Sequence, residues 1–84
     1  MNFIIQQAFD NALSYLSERV DAEDMPAVTK LLNEAMDAYD DGELNDVKVE
    51  ALVNQLLPLV RPESQSEVRQ LFESNRRLIS SYLR

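Results

Sequence analysis

Only one glycine, Gly42, occurs in the 84-residue chain, and it lies between two runs of helical periodicity. Before it, Val28, Leu31, Leu32, Ala35, Met36 and Tyr39 recur at the three-and-four spacing that gathers apolar side chains on one helical face. After it, Val49, Leu52, Val53, Leu56 and Val60 do the same. A helix commonly ends on a residue of positive φ, which glycine adopts at little cost. Asn45 or Asp46 is then placed to accept from the free N–H groups of the next helix as its N-cap. The gap is too short for a crossing strand, so the two helices are expected to fold back as a hairpin.

The flanking segments carry the same period. Ile5, Ala8, Phe9, Ala12, Leu13, Leu16 and Val20 trace one face of a first helix. Asp24 is the expected N-cap of the second, with Pro26 in its first turn, where a missing N–H costs little. Pro58 ends or kinks the third helix. Ser64 and Glu67 have the spacing of a capping box and open the fourth, whose apolar stripe is Val68, Leu71, Phe72, Leu78, Ile79 and Tyr82. The expected fold is all-α, a compact bundle of four short, mostly antiparallel helices at about residues 3–20, 25–40, 45–57 and 64–83. Residues 1–84 read as a single domain with no internal repeat.

Charge is the second strong feature. Fifteen acidic residues against eight basic ones leave −7, yet residues 1–50 hold twelve acids and three bases, while the remainder is +2. Phosphate attraction needs a dominant basic surface, so the balance opposes direct nucleic-acid binding and favours a protein partner with a basic surface. No stretch approaches the roughly 20 apolar residues of a membrane span. The N-terminus also lacks the positive flank of a signal peptide. With no cysteine, these features lead to the expectation of a cytoplasmic protein that does not engage membranes.

Several chemistries can be struck off. The chain has no histidine and no cysteine, the commonest general base and the commonest soft nucleophile. A single glycine excludes the usual phosphate-cradling loops. With Asp37 at position 1 of an EF-hand pattern, Asp41 and Gly42 fall correctly, but Tyr39 stands at position 3 and Lys48 replaces the bidentate glutamate at position 12. Size, helix number and acidity are those of acyl carrier proteins, yet no serine follows an aspartate, so the phosphopantetheine attachment motif is missing. No catalytic residue, metal or cofactor is expected.

What remains is the acidic surface. Glu34, Asp37 and Asp41 stack on the second helix, Asp46 and Glu50 on the third, with Asp40 and Glu43 at the turn. The expected function is that of a small non-enzymatic regulator or inhibitor, binding a basic partner through Asp37, Asp40, Asp41, Glu43, Asp46 and Glu50. One alternative is a DNA mimic, whose carboxylates would occupy a nucleic-acid-binding cleft. Another is a self-associating protein, a homodimer through Phe72, Asn75, Ile79, Tyr82 and Leu83 of the fourth helix, where Asn75 falls on the heptad seam.

Overall fold

A computed structural model describes residues 3–74. It contains α1 (Phe3–Ser17), α2 (Met25–Asp40), α3 (Asp46–Leu56) and α4 (Pro62–Ser74), with short 3-10 turns at Ala22–Asp24 and Leu57–Leu59. Among the described residues there is no strand, and the chain is an all-α bundle. Leu16, Val20, Val28, Leu32, Leu56, Val60 and Val68 form one buried cluster to which every helix or its flanking turn contributes. Phe9, Leu13, Met25, Leu52 and Phe72 close its edges. α2 packs against both α1 and α3.

The centre of the molecule is the contact between Val20 and Val60. They form an isolated antiparallel bridge, in which the Arg61 N–H donates to the Arg19 carbonyl at 3.0 Å. This is why α1 stops at Ser17 and not at Val20, as its periodicity suggests: Val20 leaves the helix to pair its backbone across the core. Pro58 does end α3, converting its last turn into the 3-10 turn that delivers Val60 to the bridge.

The bridge also lies at the centre of an internal pseudo-repeat. Val20 pairs with the residue 40 positions on, and the ion pair Arg61–Asp21 spans the same interval. The buried residues recur at that interval: Leu16 with Leu56, Val20 with Val60, Val28 with Val68, and Leu32 with Phe72 at the edge of the core. Each half is a helix, a bridging valine and a second helix. The expectation of no repeat is therefore corrected. Most of the repetition is at positions that face the core, with Glu23 and Glu63 an exposed pair at the same interval.

Two expected caps are not formed. Asp24 makes no side-chain cap, because the 3-10 turn runs directly into α2 and the Met25 N–H donates to the Ala22 carbonyl. The Ser64–Glu67 capping box is absent because α4 begins two residues earlier, at Pro62, and the Ser64 N–H donates to the Arg61 carbonyl at 2.8 Å. Glu67 is instead held by Arg19, with Nε donating to Oε1 at 3.0 Å and Nη2 to Oε2 at 3.4 Å. Arg19 also lies 3.7 Å over the Tyr15 ring and donates from Nη1 to the Tyr15 carbonyl, so it fastens the end of α1 to α4.

The hydrogen bond from Arg19 holds the Glu67 carboxyl below the usual carboxylate range, against partial desolvation that acts in the opposite direction. A depressed carboxylate contributes stability above its unfolded value of about 4.3 and loses it as pH falls through the folded value. Both side chains are in contact with solvent, so the effect is modest. Glu67→Gln should flatten the fall in urea midpoint below about pH 5 relative to wild type, while leaving the slope near neutrality unchanged.

Candidate protein-binding surface

The acidic surface is built on the turn that joins α2 to α3. Gly42 has φ +73°, its N–H donates to the Tyr39 carbonyl at 3.0 Å, and the Glu43 N–H reaches back to the Ala38 carbonyl at 2.8 Å. These are the two hydrogen bonds of a Schellman motif with glycine at C′. A Cβ on Gly42 would meet nothing within 4 Å, so only the backbone conformation disfavours other residues there. Gly42→Ala should therefore cost about 1–2 kcal/mol in urea unfolding, and Gly42→Asn less, since asparagine tolerates the left-handed region.

On the far side of the turn, the Asn45 side chain accepts from the Lys48 N–H at 2.9 Å, so asparagine and not Asp46 is the N-cap of α3. Between the glycine and the cap, Leu44 is buried, an apolar anchor in an otherwise polar loop. Leu44 falls outside both periodic runs because it belongs to neither helix. Its only signal in the sequence is that it is the one apolar residue among Asp40–Asp46 apart from the glycine.

This framework determines where the predicted residues stand. Asp37 and Asp40 are on α2, Asp41 and Glu43 in the turn, and Asp46 and Glu50 on α3. All but Glu50 are exposed. Glu50 is half-buried, with its Oε1 4.0 Å from Nη1 of Arg69 on α4. Arg69 also donates to Asn54 at 3.3 Å, so a base of the fourth helix faces the α3 edge of the surface. Asp37, Asp40, Asp41 and Glu43 have no ion pair with another described residue. Val47, 78% exposed, sits between Asp46 and Lys48 in the first turn of α3, an apolar side chain within a charged neighbourhood.

Among the described residues no polar or charged side chain is buried. The geometry also removes the calcium loop: Asp37 lies within α2 and Lys48 within α3, leaving only residues 41–45 between the helices in place of a twelve-residue loop. A second acidic group, Asp21, Glu23 and Asp24, has carboxylate oxygens within 4.8 Å of one another. Asp21 there already accepts from Arg61 at 2.9 Å.

Of the residues expected to mediate self-association, Phe72 is half-buried against the core, and Asn75, Ile79, Tyr82 and Leu83 lie outside the described residues. Among the described residues, no helix is long and apolar enough to cross a membrane. Compared with protein-family models, curated proteins and solved structures, the chain shows no match, so any functional reading rests on its own residues.

Proposed function

We propose that this protein is a non-enzymatic binding module whose α2–α3 turn engages a basic surface on a protein partner, regulating or inhibiting it. The observation that supports this reading is the exposure of Asp37, Asp40, Asp41 and Glu43 without ion pairs among the described residues, at the end of α2 and in the turn shaped by Gly42, Leu44 and Asn45. A backbone held in one conformation presents these charges with less ordering cost on binding than a flexible loop would. Val47 adds apolar contact beside them.

A pull-down at low and moderate salt, with wild type and a variant carrying D37N, D40N, D41N, E43Q and D46N, tests the proposal. Glu50 is left in place because Arg69 faces it. Basic proteins retained by wild type at low salt should be lost both from the variant and at higher salt. Identical capture by the two proteins would overturn the reading.

A further inference from the structure

The two halves of the pseudo-repeat share a core but differ on their outward faces. On α2 and the preceding turn, a shallow groove of about 750 Å3 is lined by Ala22, Met25 and Pro26 at one end and by Glu34 and Asp37 at the other, with Lys30 between. Forty positions on, α4 carries Gln65, Ser66, Gln70 and Ser74 where α2 has Met25, Pro26, Lys30 and Glu34. Pro62 and Glu73 stand in place of Ala22 and Asn33, so an equivalent helix forms with a different arrangement of apolar and charged residues on this face. The fold does not require the composition of this groove.

We infer that the groove seats a segment of the basic partner that presents an apolar side chain at one end and cations at the other. The inference rests on the acidic-surface reading and narrows it to one partner chemistry. Pro26 and Asp37 are separated along α2 by roughly 16 Å, at about 1.5 Å per residue. An extended chain covers that distance in about five residues. Charge complementarity sets the order of the segment: Glu34 and Asp37 attract cations at one end, whereas Lys30 repels a cation placed midway. The groove therefore selects a segment whose charge and apolar bulk are separated, and rejects one of equal composition with its charge at the centre.

Two acetylated and amidated heptapeptides of one composition test this by amide chemical-shift titration of the full chain in low salt. The first has two leucines at one end and two arginines at the other, separated by Ser-Gly-Ser; the second has its arginines at the centre and a leucine at each end. The first should shift Met25, Lys30, Glu34 and Asp37 and bind about threefold tighter than the second, the size expected of one exposed charge contact. Lys30→Glu should erase that preference, and Glu34→Ser, which takes the α4 residue, should weaken the first peptide. Equal binding of the two peptides, or shifts confined to Asp40, Asp41, Glu43 and Asp46, would overturn the groove while the acidic-surface reading stood. No shift with either peptide would likewise overturn the groove, while the acidic-surface reading is decided by the pull-down with the carboxylate variant.

Discussion

Leu56→Ala should cost about 2–5 kcal/mol of folding stability, the range for truncating a fully buried leucine, and lower the thermal midpoint by on the order of 10–30 °C. Leu56 is wholly buried at the end of α3, inside the cluster that includes Val20 and Val60. A domain of this length has only about 4–12 kcal/mol in total, so the variant spends much of its margin on one cavity. The pseudo-repeat makes the prediction sharper. Leu16, the residue 40 positions earlier, is equally buried in the same cluster. Leu16→Ala should therefore cost about as much as Leu56→Ala, within about 1 kcal/mol, although the two leucines lie in different helices. Thermal unfolding followed by far-ultraviolet circular dichroism checks both. Costs differing by more than 2 kcal/mol would show that the halves carry unequal shares of the core.

Those two leucines also mark what could be read in advance. The three-and-four spacing of Val28, Leu32 and Ala35 placed α2 at residues 25–40, where it is found, because an amphipathic stripe is a local signal. Gly42, and the cap of α3 to within Asn45 or Asp46, were legible for the same reason: each acts on backbone within a few residues of itself. The Val20–Val60 bridge was not legible. Whether Val20 continues α1 or leaves it is decided by a partner far along the chain, so its helical spacing misled. The capping box failed similarly, since Glu67 found Arg19, 48 positions away, in place of a backbone N–H three residues back.

The repeat was hidden for a different reason. Leu16, Val20 and Val28 recur as Leu56, Val60 and Val68, but most of the residues between them, Glu23 and Glu63 apart, differ in charge or shape. Packing restrains only the inward positions, so the outward ones are free to carry separate functions. At the candidate surface, the sequence located the acidic residues but not their setting. Leu44 and Val47 lie outside both periodic runs, and the pairing of Glu50 with Arg69 depends on how α4 meets α3.

The surface makes its largest predicted difference to the rate of association with a basic partner. Exposed charges at separations comparable to the Debye length steer an encounter more than they hold the complex. For a captured partner, the variant with D37N, D40N, D41N, E43Q and D46N should associate roughly tenfold more slowly than wild type at low salt. The two rates should converge as salt is raised, because screening removes what the variant already lacks. Val47→Ser should act in the opposite register, leaving the association rate nearly unchanged and raising the dissociation rate by about three- to tenfold, since a small apolar contact is made only after docking. Surface plasmon resonance across a salt series separates the two effects. If the carboxylate variant changed dissociation alone, its side chains would be making short-range contacts and long-range steering would be the wrong account. If neither variant changed either rate, the partner would bind elsewhere, and the acidic turn would serve only to keep a small domain from associating with itself through its net negative charge.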